Sequence, residues 1–234
     1  MDGVSLNVMP GECVGLIGPN GAGKSTVLDN ISGFNLKHRG RVHMFGTDVS
    51  SWPMQKRARL GVARSFQAPR MFGRMTVLSN LMVAPQRQPG ESVLRVLAGG
   101  WRNAEQRHLD RARHFIQRFA LNPVVDNYAS DLSGGQERLV ELARSLMTGP
   151  HLLLLDEPFA GVSPVNRRRL VEHLQHLSRD EGIAILMVEH RLEWVQQLCS
   201  RVLVMALGRI IAEGSLDEVA AMSSVVDAYL GRRK

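Results

Sequence analysis

Eight residues near the amino terminus constrain the fold of this chain more than any other feature of its sequence. The run Gly18-Pro19-Asn20-Gly21-Ala22-Gly23-Lys24-Ser25 has the spacing G-x-x-x-x-G-K-S, which is the pattern of a phosphate-binding loop. An apolar run, Cys13–Ile17, precedes it, and a helical pattern, Lys24–Ser32, follows it. A loop in this position turns backbone N–H groups towards phosphate oxygens at a helix N-terminus, where the helix dipole favours anions. Lys24 is expected to reach the β- and γ-phosphates, and Ser25 to ligate Mg²⁺.

Apolar runs rich in Val, Ile and Leu alternate with helical patterns along the rest of the chain. The predicted buried strands are Cys13–Ile17, Leu152–Leu155, Ile183–Val188 and Val202–Met205, and the predicted helices between them are Lys24–Ser32, Pro164–Arg179 and Arg191–Cys199. This alternation predicts a largely parallel sheet covered by helices on both faces. The stretch from Thr76 to Thr148 lacks strand signals and has helical periodicity. We therefore predict one domain over 1–234, with a nucleotide-binding core (1–75 and 149–234) and an inserted helical subdomain (76–148).

Composition excludes two other classes of protein. Of the 234 residues, 44% are hydrophobic, which is ordinary for a globular protein and excludes disorder as the dominant state. The longest uncharged apolar runs have six residues, far fewer than the roughly 20 that a bilayer requires. No leader pattern opens the chain.

Cys13 and Cys199 stand 186 positions apart in strand-like stretches. They have no metal or redox spacing, so we predict buried free thiols in a reducing cytosol.

Two carboxylates follow the apolar run Leu152–Leu155. They are Asp156 and Glu157, and the carboxyl end of a strand in an α/β sheet is where ligands bind. Asp156 is expected to hold Mg²⁺ through water. Glu157 is expected to orient and deprotonate an attacking water.

A glycine-rich segment, Leu132-Ser133-Gly134-Gly135-Gln136, opens a predicted helix over Glu137–Thr148. Taken alone it is typical of an N-cap by Ser133, and it also forms a second helix N-terminus able to bind an anion. It stands 108 residues after Ser25 and 23 before Asp156. In this setting it resembles the signature motif of the ATP-binding cassette (ABC) superfamily at all five positions. The resemblance extends over essentially the whole chain.

The resemblance implies an α/β P-loop NTPase core, with a mixed, mostly parallel sheet flanked by helices, and an inserted α-helical signature subdomain. Gln67 resembles the loop glutamine that contacts Mg²⁺, and His190 the switch histidine that contacts the γ-phosphate. The implied catalytic residues are Glu157, His190 and Gln67, and the implied Mg²⁺ ligands are Ser25, Gln67 and Asp156. The implied nucleotide contacts are Gly18, Pro19, Asn20, Gly21, Ala22, Gly23, Lys24, Ser25, Thr26, Ser133, Gly134, Gly135 and Gln136.

The family also implies the partners of this chain. Two cassettes pack head to tail, each ATP lies between one phosphate loop and the other signature helix, and membrane permease subunits dock on the pair. The second cassette is either a copy of this chain or a homologue, and a substrate-binding protein acts indirectly. The expected location is the cytoplasmic face of the cell membrane, where the chain is peripheral.

Local motifs resemble the ATPase subunits of branched-chain amino-acid importers. They are Ser65–Phe72, Met75–Val77, Val188–His190 and Ala228–Gly231. Urea and amide importers and lipopolysaccharide-export ATPases share many of them, and these stay open as alternatives. A non-transport ABC protein acting on nucleic acid is disfavoured, because such proteins usually carry two cassettes or a long coiled-coil insert. Arg191 replaces a common Asp that would cap a helix, and Ser163 replaces a common Asn or Asp.

Positive charge is concentrated in one segment. Residues 56–118 contain 13 Lys/Arg and 3 Asp/Glu, whereas the rest of the chain contains 16 basic and 19 acidic residues. A solvated charged face is one interpretation. The other is contact with an anionic lipid surface through Arg87, Arg95, Arg102 and Arg107, which predicts salt-sensitive binding to anionic vesicles. Aromatic residues do not interleave these charges at the density that base stacking needs, so we expect no nucleic acid.

Overall fold

The computed structural model describes residues 1–37, 39–65, 71–85 and 101–230. The chain divides into two compact units. The first comprises Met1–Gln67, His151–Pro158 and Val171–Lys234, and the second Ala68–Pro150 and Phe159–Leu170. The domain boundaries expected from the sequence, at residues 76 and 148, stay a prediction.

The first unit is built on a six-stranded sheet. Its strands are β1 (Cys13–Ile17), β4 (Val62–Arg64), β5 (Leu152–Asp156), β6 (Ala184–Val188), β7 (Arg201–Ala206) and β8 (Arg209–Gly214), and a separate hairpin joins β2 (His43–Met44) to β3 (Thr47–Asp48). The strand order is β4-β5-β6-β1-β7-β8. Every neighbouring pair is parallel except β7 and β8, which are antiparallel. The predicted α/β class with a mixed, mostly parallel sheet is confirmed.

The described residues also form nine α-helices. They are α1 (Lys24–Ser32), α2 (Met54–Arg59), α3 (Val77–Met82), α4 (Trp101–Arg118), α5 (Gly134–Met147), α6 (Pro164–Arg179), α7 (Leu192–Leu198), α8 (Leu216–Ala220) and α9 (Ser223–Leu230). Short 3-10 turns occupy Asn122–Val124 and Ala129–Asp131. Helices α3, α4 and α5 belong to the second unit. Among the described residues, no helix combines the length and apolar character needed to span a bilayer.

The central strands are apolar because both faces of the sheet are covered. Val14, Leu16, Leu154, Leu186 and Leu203 are fully buried and belong to one cluster. Continuous burial of this kind is expected for parallel strands that lie between layers of helices. It explains why runs of Val, Ile and Leu predicted these strands to within one residue at each end.

Arg57 of α2 is the largest fully buried side chain of the first unit. Its guanidinium donates to the carbonyl oxygens of Asn30 (2.6 Å) and Ile31 (2.8 Å) in the last turns of α1, and to those of Trp52 (2.9 Å) and Ser50 (3.1 Å). The last carbonyls of a helix have no partner within the helix. Arg57 therefore supplies hydrogen-bond donors to the carboxyl end of α1, the helix that begins at the phosphate loop.

Replacing Arg57 by methionine is expected to lower the free energy of unfolding by about 3 kcal/mol, because buried carbonyls lose their donors. Urea denaturation measures this. Arg59, exposed on the same helix, is the matched control, and Arg59→Met should change stability by less than about 0.5 kcal/mol. Equal stability of the two variants would contradict the role given to Arg57.

Candidate active site

Three parallel strands of the first unit end at the same edge of the sheet, and their carboxyl ends form one cleft. β1 leads to Gly18, β5 ends at Asp156, and β6 is followed by Glu189 and His190. The cleft has a volume of about 290 Å³. It is lined by Asn20, Gly21, Gly23, Lys24, Ser25, Thr26, Glu157, Val188 and His190. The fold therefore brings the predicted phosphate loop together with two of the predicted catalytic residues.

The phosphate loop depends on glycine at its first position. Gly18 has φ +144°, and a Cβ atom there would lie 2.0 Å from the carbonyl oxygen of Met205 in β7. A side chain at this position would push the loop away from the sheet. At the other end of the loop, Gly23 occupies the N-cap of α1 and makes no side-chain cap hydrogen bond. The amide groups of that turn are therefore available to an anion.

Lys24 lies at the base of the cleft and is 6% exposed. Its Nζ donates to the carbonyl oxygens of Gly18 (2.8 Å) and Pro19 (3.0 Å). Burial lowers the pKa of the Lys24 ammonium below its ordinary value, while the carboxylates of Glu157 and Asp156 oppose that shift. The ammonium thus stands among acceptors inside the loop, positioned as a point charge for phosphate.

Glu157 and His190 face each other across the cleft. Their Oε1 and Nε2 atoms lie 3.1 Å apart, and the two side chains are 28% and 40% exposed. Glu157 has φ +50°, in the left-handed region that side chains other than glycine rarely adopt. Its backbone N–H donates to the carbonyl oxygen of Val188 at 2.9 Å. Such strain, held by a neighbouring strand, is typical of functional positions.

Asp156 and Ser25 fit a magnesium ion. The Ser25 hydroxyl donates to the Asp156 carboxylate, and burial raises the pKa of that carboxyl above its ordinary value, although the nearby Arg64 guanidinium lowers it. The Oγ atom of Ser65 accepts a hydrogen bond from the Asp156 backbone N–H at 3.3 Å. Hydroxyl and carboxylate oxygens are ligands that Mg²⁺ takes. Gln67, the third predicted ligand, lies outside the described residues.

Two residues of this region carry roles that sequence patterns did not reveal. The buried Glu189 carboxylate accepts hydrogen bonds from the backbone N–H groups of His190 (3.1 Å) and Arg191 (3.4 Å). Both amides lie before the first turn of α7, whose N-cap Arg191 makes no side-chain cap hydrogen bond. The Tyr229 hydroxyl in α9 is hydrogen-bonded to the backbone of Gly18, and burial raises the pKa of Tyr229. Tyr229 is 211 positions from Gly18 in the sequence, a distance that no local pattern bridges.

The predicted signature segment begins α5 in the second unit. Ser133 is the N-cap, and its Oγ accepts from the Gln136 N–H at 3.4 Å while the Gln136 Oε1 accepts from the Ser133 N–H at 2.9 Å. This reciprocal pair is a capping box. The helix starts at Gly134, three residues before the predicted Glu137, because the two glycines adopt the helical conformation. Ser133 and Gly134 are exposed.

Ser163 fills the N-cap position of α6. Its Oγ accepts a hydrogen bond from the Asn166 N–H at 3.4 Å. Serine is as effective as Asn or Asp at an N-cap. The substitution noted in the sequence therefore keeps the local structure of this loop.

On the basic segment, Arg102 and Arg107 are exposed on α4. Arg87 and Arg95 lie outside the described residues. Contact with an anionic lipid surface stays a prediction.

Comparison with known proteins identifies relatives over nearly the whole chain. The profile of the family described as "ABC transporter" matches residues 1–160. A probable branched-chain amino acid transport ATP-binding protein, LivG, from Archaeoglobus fulgidus is 38% identical over 97% of this chain and 88% of its own length. The high-affinity branched-chain amino acid transport ATP-binding protein LivG of Escherichia coli K12 is 36% identical over 99% and 91%.

Solved structures give the same result for the fold. The ADP conformation of an ATP-binding cassette of an ABC transporter superposes with a TM-score of 0.81 at 37% identity, covering 99% of this chain and 92% of that one. A nucleotide-free ATP-binding cassette from an ABC transporter superposes with a TM-score of 0.82 at 36% identity, covering 98% and 92%.

Proposed function

This chain belongs to the ABC transporter family, and on that premise we propose that it is the ATP-hydrolysing subunit of an importer for branched-chain amino acids. The proposed ATP hydrolysis rests on one observation, the cleft that Lys24, Glu157 and His190 line together. The substrate class is supported by the names of the relatives, which favour this importer over the urea, amide and lipopolysaccharide transporters that share its motifs.

Binding of ATP begins with the phosphates. The N–H groups at the start of α1 donate hydrogen bonds to anionic phosphate oxygens, and the Lys24 ammonium exchanges its two carbonyl partners for the β- and γ-phosphates. Both contacts are hydrogen bonds to a charged group, which are roughly twice as strong as neutral ones. The remaining predicted loop residues, Pro19 to Ala22 and Thr26, shape the cradle around them.

Hydrolysis follows from the pair of side chains at the end of β5 and β6. Glu157 accepts the proton of the water that attacks the γ-phosphorus, and His190 holds the carboxylate in place through its 3.1 Å contact. Ser25, Asp156 and Gln67 would hold Mg²⁺. When bound, Mg²⁺ neutralises charge that develops on the β- and γ-phosphates.

The signature helix of a second cassette completes each site. Ser133, Gly134, Gly135 and Gln136 form the N-terminus of α5, exposed at Ser133 and Gly134, and its dipole favours the γ-phosphate of the partner's ATP. Enclosing that phosphate between two helix ends excludes water and strengthens each contact. The partner is a copy of this chain or a homologous cassette.

Replacing Gly134 by alanine tests whether the γ-phosphate of the partner's ATP lies against the N-terminus of α5. A Cβ atom at Gly134 meets no atom within 4 Å, so the variant should fold normally, and alanine favours the helix. If the partner's ATP lies against this backbone, the methyl group should reduce ATP hydrolysis about tenfold or more. Phosphate release at saturating ATP measures hydrolysis, and the thermal midpoint shows whether the variant folds normally.

Gly73→Ala is the matched control. The added Cβ would have one ordinary contact, 3.8 Å from the Ser130 Cβ in the same unit, and hydrolysis should not change. Gly135→Ala is unsuitable, because its Cβ would lie 2.8 Å from the Gly161 carbonyl oxygen. Parent-like hydrolysis by Gly134→Ala would remove the signature helix from the proposed site.

The transport role is tested in the membrane. We propose that the chain docks on permease subunits at the cytoplasmic face of the cell membrane, supplied with substrate by a binding protein. The tagged chain should co-purify with these subunits from detergent-solubilised membranes, and the complex in proteoliposomes should accumulate labelled leucine only with ATP. ATP-dependent uptake of urea without leucine uptake would reassign the substrate. Purification without membrane subunits would contradict the transport role.

A further inference from the structure

The two cysteines of this chain form a pair, although 186 positions separate them in the sequence. The Sγ atoms of Cys13 and Cys199 lie 3.6 Å apart, and both thiols are free. Cys13 begins β1 and is buried, whereas Cys199 follows the last residue of α7 and is partly exposed. The expected free thiols are confirmed, and Cys13 is buried in a strand as predicted, but Cys199 is only partly buried and lies at the end of a helix. Cys199 ends a helix that folds back against β1.

The backbone holds this pair together from both sides. Val14 pairs with Arg201 in the parallel register of β1 and β7, and the Ser200 N–H donates to the Cys13 carbonyl oxygen at 3.2 Å. Gly15 supplies the space, because a Cβ atom there would lie 3.2 Å from the Cys199 Sγ and 2.9 Å from Val195. A glycine in the middle of a strand marks a close approach of this kind.

We propose that Cys13 and Cys199 are an oxidisable dithiol that closes to a disulfide when a hydroperoxide reacts with Cys199. An S–S bond is about 2.05 Å long, so the two sulfurs must approach by roughly 1.5 Å. Cys199 is the first to react because it is the more exposed thiol. Cys13, buried behind it, is placed to react only with the oxidised partner.

The chemistry balances in two steps. The Cys199 sulfur attacks a peroxide oxygen, the O–O bond breaks, and a sulfenic acid and water form. The Cys13 sulfur then attacks the Cys199 sulfur, the S–O bond breaks, the S–S bond forms and a second water leaves. Two thiols lose two electrons, and hydrogen peroxide becomes two molecules of water.

The rate of the first step depends on the thiolate of Cys199. A hydrogen bond with Cys13 and burial both raise the pKa of this thiol. Thiolate is the reactive form, so we expect oxidation to be slow at neutral pH and to accelerate as the pH rises.

We expect the disulfide to act on stability, because Cys13 lies at the end of β1 opposite the cleft. Cys13 is at the amino end of β1, about 13 Å along the strand from its carboxyl end. Closing a loop of this length restricts the unfolded chain. The oxidised protein should therefore have a thermal midpoint several degrees above that of the reduced protein.

Hydrogen peroxide and intact-mass measurement test the proposal on the full chain. After oxidation at alkaline pH and alkylation under denaturing conditions, the chain should have lost two hydrogens and carry no alkyl group, and dithiothreitol should restore both reactive thiols. Cys13→Ser should leave a sulfenic acid on Cys199 that dimedone labels. Cys199→Ser should keep Cys13 open to alkylation.

Three results would overturn the proposal. They are two alkyl groups on the native chain under conditions that oxidise glutathione completely, a disulfide between chains on a non-reducing gel, and a Cys13→Ser variant that dimedone does not label. The first two measurements use the native chain, so they do not depend on the folding of either variant.

Discussion

Glu157→Gln is expected to reduce ATP hydrolysis by at least about 100-fold while ATP affinity stays within about twofold, because general-base catalysis contributes this much. Glutamine keeps the shape of the side chain and its contact with His190, 3.1 Å away in the native protein, but it cannot accept a proton from water. Phosphate release measures hydrolysis, and equilibrium titration with a fluorescent ATP analogue measures binding.

A second glutamate provides the control for this substitution. Glu193 is 57% exposed at the start of α7 and lies 4.0 Å from Arg191. Glu193→Gln removes the same charge outside the cleft and should leave hydrolysis within about twofold of the parent. A parent-like rate in Glu157→Gln would mean that another group accepts the proton.

Lys24→Ala is expected to weaken ATP binding at least about tenfold, since hydrogen bonds to charged groups contribute about 1.5–3 kcal/mol. The ammonium is buried and its charged form is penalised there, as its lowered pKa indicates. Removing it relieves that penalty but leaves the carbonyl oxygens of Gly18 and Pro19 without its hydrogen bonds, so the thermal midpoint is measured alongside the affinity. The same titration measures the affinity.

Two further variants separate charge from packing at this position. Lys24→Met keeps the apolar stem and should lose affinity as Lys24→Ala does. Lys56→Ala, which removes an exposed lysine from α2, should bind ATP normally. Parent-like affinity in both Lys24 variants would show that the loop amides bind the phosphates without the ammonium.

Local patterns predicted the elements that form the cleft. β1 and α1 have the predicted bounds because a fully buried strand, a glycine loop and a helix start follow each other directly in the sequence. Asp156 and Glu157 were placed at the carboxyl end of a strand because four consecutive leucines precede them in the sequence. The left-handed backbone of Glu157 has no such signal, since hydrogen bonding to Val188 imposes it.

Contacts between distant segments could not be predicted in the same way. Arg57 donates to a carbonyl oxygen 27 positions away. From its residue type alone, an arginine on a helix is expected on the exposed face. Cys13 and Cys199 meet because β1 and β7 are parallel neighbours, a pairing that one sequence does not specify. The antiparallel β8 was missed as well, because its residues are only partly buried and lack the continuous apolar run of the central strands.

The enclosure of each ATP by two chains is tested most directly by the mass of Glu157→Gln in solution. With ATP and Mg²⁺, light scattering should give about twice the 25.9 kDa of one chain, because bound ATP joins the phosphate loop of each chain to the signature helix of the other. With ADP the same protein should be a monomer. A monomer at saturating ATP would contradict a site shared between two copies of this chain.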